Sequence, residues 1–221
     1  MLETRSSERV FLFSLLLNGF VQGSQISSML GGMNVIKTTA LCFLLSLFWQ
    51  GGVMASTLGG KSPVYRYIET ASLQGQGRLT FWGFDVYDAR YYVADPKGQN
   101  GFALEIHYIR SFKGADLAKR TIDEMTRLGV SEKQRGIWLQ SLEKIFPDIA
   151  SGDTLVGVHL PDRGTLFLHN GKVIGDIPGA AFAKAFFGIW LDERTSVPKL
   201  RSALIASRCP PALIAANCPN P

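Results

Sequence analysis

The sequence predicts a single α+β domain, an antiparallel β-sheet covered on one face by helices, and three observations predict it. Stretches with strand periodicity and stretches with helix periodicity come in blocks, strands then two helices, twice along the chain. Asn170-Gly171 sits between two apolar runs, where a tight hairpin turn wants residues tolerant of positive φ. A chain of 221 residues with 46% apolar side chains has enough material for one sizeable core but hardly for two.

Taken in order, Leu73 to Val93 is rich in aromatic and β-branched residues and reads as a strand bent at Gly83, closed by the turn signal "DPKG" at Asp95–Gly98. In "FALEIHYIRSF" Phe102, Leu104, Ile106 and Tyr108 alternate with Glu105 and His107, so this segment is a half-buried strand pairing antiparallel with the one before. The period then changes. Leu117, Ile122, Met125 and Leu128 define an amphipathic helix over Asp116–Leu128, with Lys119, Arg120, Asp123, Glu124 and Arg127 largely on its wet face and Gly129 ending it. A second helix covers Glu132–Ile145 with Trp138, Leu142 and Ile145 inward, stopped by Pro147. "DTLVGVHLP" and "GTLFLHNGKVIGDIP" return to strand character. A helix over Gly179–Leu191 follows with Phe182, Phe186 and Ile189 inward, then a last one over Pro198–Ala206, capped by Thr195 or Ser196.

Residues 1–55 stand apart from this domain. Lys37, an apolar stretch over Thr38–Trp49 and the small-residue site Val53-Met54-Ala55 have the form of a secretory signal, with Met33 as its start and cleavage after Ala55. A second apolar run, Val10–Val21 behind Arg5 and Arg9, leaves two alternatives: a cleaved signal starting at Met1, or an uncleaved membrane anchor. The expectation is therefore an exported, periplasmic protein whose domain spans 56–221 and ends in a short Pro/Cys tail. Cys42 leaves with the signal, and an oxidising compartment permits a disulfide between Cys209 and Cys218.

Composition excludes several classes. The net charge of +5 is spread as alternating signs, without the basic stripe of a nucleic-acid binder. His107, His159 and His169 are isolated from one another and from cysteine, so no metal site is expected. "HNGKVIG" lacks the strand, glycine-rich turn and helix of a phosphate-binding loop, and no cofactor is expected.

Four segments, "LQGQGRLTFWGFDVYDARYYV", "FALEIHYIRSFKGADLAKRTIDEM", "SGDTLVGVHLPDRGTLFLHNGKVIG" and "GAAFAKAFFGIWLDERTSVPKLRSALI", occur in an order that resembles the chalcone isomerase-like family, particularly its small bacterial exported members. The resemblance covers roughly Leu73–Ile205. It implies a cleft between sheet and helices that holds a planar flavonoid or a fatty acid. The plant isomerase uses an arginine before a "VY" strand, a threonine on that strand, and a tyrosine and an asparagine around the following helix. Setting Val86-Tyr87 on that pair puts Leu79 at the arginine position, with Arg78 one residue away, and Trp82 at the threonine position. Asp116 and Asp123 fall where the tyrosine and asparagine would be. The enzymatic set is not recognisable.

Under that resemblance Arg78 and Arg90 are candidates to anchor a carboxylate or phenolate, against the simpler role of solvated side chains. Tyr87, Trp82 and Trp138 are candidates to line the cleft, against ordinary core packing. Asp85 and Asp88, three apart on a strand, should face opposite ways and pair with neighbouring arginines. Asp153 reads as a turn residue that fixes the next strand. The functional expectation is a non-catalytic exported protein that binds a small apolar or carboxylated molecule such as a fatty acid. A cell-envelope module for a protein partner, and an intramolecular lyase or isomerase, are the alternatives.

Overall fold

The computed structural model describes residues 62–215. The expected signal segment, its upstream extension and Cys218 lie outside the described residues; Cys209, within them, is disulfide-bonded.

After a short 3-10 turn at Pro63–Arg66, the chain forms β1 (Ser72–Phe81), β2 (Phe84–Val93) and β3 (Phe102–Tyr108). Two helices follow, α1 (Gly114–Arg127) and α2 (Glu132–Ile145). Then come β4 (Thr154–Leu160), β5 (Gly164–His169) and β6 (Lys172–Ile177), and finally α3 (Ala180–Leu191) and α4 (Pro198–Ile205). The six strands lie in sequence order in one sheet, every neighbouring pair antiparallel. The α+β prediction holds, with one sheet and helices on one face.

The stretch expected to be one bent strand is instead a hairpin at the sheet edge. Trp82 and Gly83 both take positive φ, 51° and 81°, and turn β1 back onto β2. The Asn170-Gly171 hairpin forms as expected, with φ of 49° and 76°.

Strand alternation divides the core. Phe102, Leu104, Ile106 and Tyr108 point towards the helices and join Phe167, Phe182, Phe186, Phe187 and Met125 in the main cluster. Ala103, Tyr92, Val156, Val158, Leu166 and Leu168 point the other way, onto Val64 and Ile68 of the N-terminal segment. That cover explains why Glu105, expected on a wet face, is buried: Ser62 donates to its carboxylate and Arg90 pairs with it at 3.3 Å.

Two glycines let α4 close on the edge strand. A Cβ on Gly75 would lie 2.3 Å from the carbonyl oxygens of Ala203 and Leu204, and one on Gly77 would lie 2.9 Å from Leu200 and Ala203 side chains. The "GQG" of β1 is thus a contact surface for helix backbone. The cap of α4 is not the one expected: Val197 is the N-cap residue, and the buried Thr195 hydroxyl donates to Ile189 O at 2.5 Å while accepting from Val197 N at 3.1 Å.

Candidate functional site: a cavity between the sheet and α1 and α3

A cavity of about 280 Å³ lies between the helix-facing side of the β1–β3 strands and helices α1 and α3. Its sheet wall is Leu79, Phe81, Val86, Tyr87, Ile106 and Tyr108; α1 contributes Asp116, Leu117, Arg120, Thr121 and Glu124; α3 contributes Phe186, Ile189 and Trp190.

A β-bulge builds the sheet wall. Leu79 pairs with Tyr87 but Thr80 pairs with Asp85, so Val86 is an extra residue on β2. The insertion puts both Val86 and Tyr87 against the cavity. It also reverses the parity of the residues before it, and Asp85 and Asp88 come to one side rather than opposite sides. Both bind Arg78: Nη1 lies 2.7 Å from Asp85 Oδ2, Nε 2.6 Å from Asp88 Oδ1 and Nη2 2.9 Å from Asp88 Oδ2. Thr80 Oγ1 donates to Asp85 at 2.8 Å and Arg78 adds its own bond, and together they hold the Asp85 carboxyl below its ordinary range.

Four of the five expected ligand-binding residues therefore do not line the cavity. Arg78 is saturated by two carboxylates on the outer face, since Leu79 is the residue whose parity points inward. Arg90 also faces away from the helices, where it pairs with Glu105 in an open depression beside Ser62, Tyr65 and Arg66. Trp82 occupies the tip of the β1–β2 hairpin and is 65% exposed. Trp138 packs edge-on against Phe182 with ring centroids 5.3 Å apart, as a core residue. Tyr87 does line the cavity.

Trp190 Nε1 donates to the Tyr87 hydroxyl at 2.9 Å, leaving the phenol proton free to donate elsewhere. Burial pushes this phenol up to about 12, so it is neutral at physiological pH. Tyr108 stands beside it, ring centroids 5.9 Å apart, and is raised further by burial. Its hydroxyl has no hydrogen-bond partner among the described residues.

The charged side of the cavity was not foreseen. Arg120 pairs with Glu124, whose other oxygen accepts from Arg127 Nε at 3.1 Å, and Arg127 Nη2 in turn donates to Arg194 O at 2.6 Å. Two guanidinium groups share one buried carboxylate; Arg120 and Glu124 stand at the cavity wall beside Asp116, while Arg127 backs Glu124 from outside it. The signal was in the spacing: Leu117, Arg120, Thr121 and Glu124 follow i, i+3, i+4, i+7, which puts polar residues on a helix stripe facing the protein. Among the described residues no group of histidine, cysteine and carboxylates is placed to hold a metal ion.

Three antiparallel strands and a helix pair, then three more strands and a second helix pair, around a sheet-to-helix cavity define a known architecture. The family model for chalcone isomerase-like proteins matches residues 68–206, and the chain belongs to that family. An uncharacterized protein of Haemophilus influenzae is 28% identical over 134 residues, 59% of this chain and 66% of the relative, so the chain spans just under two thirds of that protein's length. Among solved structures, the crystal structure of a fatty-acid binding protein from Arabidopsis thaliana is similar, with a TM-score of 0.51 and 12% identity over 66% of this chain and 91% of the plant chain. At that identity the likeness is one of fold.

Proposed function

We propose that this chain is a non-catalytic binding protein for a small apolar molecule with a carboxylate head, a fatty acid being the type ligand. The observation that carries the reading is a cavity walled by Leu79, Phe81, Val86, Leu117, Phe186 and Ile189 with one lining cation, Arg120, whose partner carboxylate Glu124 is shared with Arg127. An apolar wall takes a hydrocarbon chain, and an arginine beside neutral phenols takes its carboxylate by charge-assisted hydrogen bonds. The volume, about 280 Å³, lies just below the usual range of small-molecule sites, roughly 300–1,000 Å³, which favours one slender chain over a bulkier ligand. The fatty-acid binding of the plant protein with this fold supports the same reading.

The absence of catalysis belongs to the proposal. The position that the family resemblance gives to the isomerase arginine is Leu79, and Leu79 faces the cavity. Export belongs to it too, on the form of the segment Met33–Ala55. The test is to purify the full-length chain from its host, extract it under denaturing conditions and identify co-purified small molecules by mass spectrometry. A fatty acid at a fixed ratio to protein is the expected result. Clean protein that also fails to bind added fatty acids would overturn the reading.

A further inference from the structure

We propose that the tip of the β1–β2 hairpin is a membrane-docking finger that enters the interface of a lipid bilayer beside the cavity. The inference rests on the ligand-binding reading for its purpose but on separate residues for its support.

Trp82 opens the turn between β1 and β2. Its φ of 51° puts a bulky aromatic in the left-handed region that the first central position of such a turn reserves for Asn, Asp or Gly. Trp82 is nevertheless 65% exposed, and a Cβ on neighbouring Gly83 would meet nothing within 4 Å. Backbone strain at an indole that stays mostly exposed and stacks on Phe81 returns little to the folded domain, and strain kept at a surface position points to use. Phe84, 53% exposed on the other side of the turn, enlarges the apolar tip.

Tryptophan and phenylalanine on a projecting two-residue turn suit the headgroup–acyl boundary of a bilayer, where an indole buries its rings and keeps its N–H hydrated. A protein partner would need a socket for the tip, whereas lipid conforms to it. Arg110 lies over the Phe84 ring at 5.0 Å, is held by Nε on Asp85 O at 3.0 Å and forms no ion pair among the described residues. It is placed to meet a lipid phosphate.

The tip is continuous with the cavity. Phe81 stacks on Trp82, centroids 6.0 Å apart, and Phe81 is also part of the cavity wall. A hydrocarbon chain leaving the bilayer at the tip meets an aromatic surface that runs into the cavity. The tip's charges, Arg78 and Arg110 against Asp85 and Asp88, sum to zero, so docking depends on aromatic insertion and should change little between zwitterionic and anionic lipid.

The experiment uses the full-length chain carrying Trp49→Phe, which removes the tryptophan of the N-terminal apolar run, mixed with phosphatidylcholine vesicles whose acyl chains are brominated. Quenching of indole fluorescence reports insertion whether or not the N-terminal segment tethers the chain. The expected result is quenching that is lost on Trp82→Asn, a substitution suited to the turn's φ and therefore neutral or favourable to folding. Equal quenching with and without Trp82, or none in either, would overturn the proposal. Fatty-acid binding in vesicle-free solution separates the two readings. If Trp82→Asn binds normally there and quenching is absent even in the parent, docking fails alone; if quenching is present and no fatty acid binds, the cavity reading fails alone.

Discussion

Replacing Arg120 by methionine removes the cavity's cation while keeping an unbranched side chain of similar length. Lost charge-assisted hydrogen bonding to a bound carboxylate is worth about 1.5–3 kcal/mol. At about 1.4 kcal/mol per decade, that is roughly a 10- to 100-fold rise in Kd. The stability cost is bounded separately. Arg120 and Glu124 are 24% and 8% exposed, between a surface pair worth about 0–1 kcal/mol and a broken buried pair costing about 3–5 kcal/mol. Glu124 keeps Arg127, so a cost of about 2 kcal/mol follows, and a domain of this size loses about 2–4 °C of Tm per kcal/mol. The variant should thus melt about 4–8 °C lower and remain folded at room temperature. The assay is calorimetric titration with a straight-chain fatty acid and, separately, with its methyl ester. Binding of the acid should weaken by the stated factor while that of the ester, which has no charge to anchor, stays the same. An unchanged Kd for the acid, or an equal loss for both ligands, would refute the assignment of Arg120.

Three further outcomes follow from local geometry. Tyr87→Phe leaves Trp190 Nε1 without its acceptor at 2.9 Å, and an unpaired buried donor costs about 1–3 kcal/mol, readable as a lower midpoint in urea. Gly75→Ala drives a methyl group to 2.3 Å from the carbonyls of Ala203 and Leu204, so α4 must retreat, and a loss of about 1–3 kcal/mol should appear in thermal melts. Asp153 is held down to about 2, first by Asn170 Nδ2, then by Ala150 N–H and by His169. Because its folded value is depressed below the ordinary 3.8, its stabilisation is complete above that pH and is lost as pH falls towards about 2. Tm measured across that window should fall in the parent, and Asp153→Ala should be less stable at neutral pH with a shallower acid decline.

Periodicity carried most of the fold. The alternation in β3, the apolar spacing of α2 and α3 and the Asn170-Gly171 turn were each visible because a period of two or 3.6 residues, or a pair tolerant of positive φ, is written in residue types. The β1–β2 hairpin was hidden because its turn opens with Trp82, a residue that turn chemistry argues against. The extra residue Val86 is hidden for a different reason: an inserted strand residue has no compositional mark, yet it decides which side Asp85 occupies and so gives Arg78 its second carboxylate. Of the cavity, Tyr87 is the one candidate of the five that the structure puts on the wall. Arg120 and Glu124 read as wet-face residues because charged side chains default to solvent, although their spacing with Leu117 and Thr121 puts them on an inward stripe.

The central claim is that the space between sheet and helices receives the ligand. Photo-crosslinking with a fatty acid carrying a diazirine on its chain, followed by peptide mapping of the full-length protein, tests it most directly. Adducts should fall on the segments that wall the cavity, 79–87 of the hairpin, 116–124 of α1 and 186–197 around the end of α3, and should fade when unlabelled fatty acid competes. Competed adducts confined to the opposite sheet face, around Tyr65, Arg66 and Arg90, would contradict it.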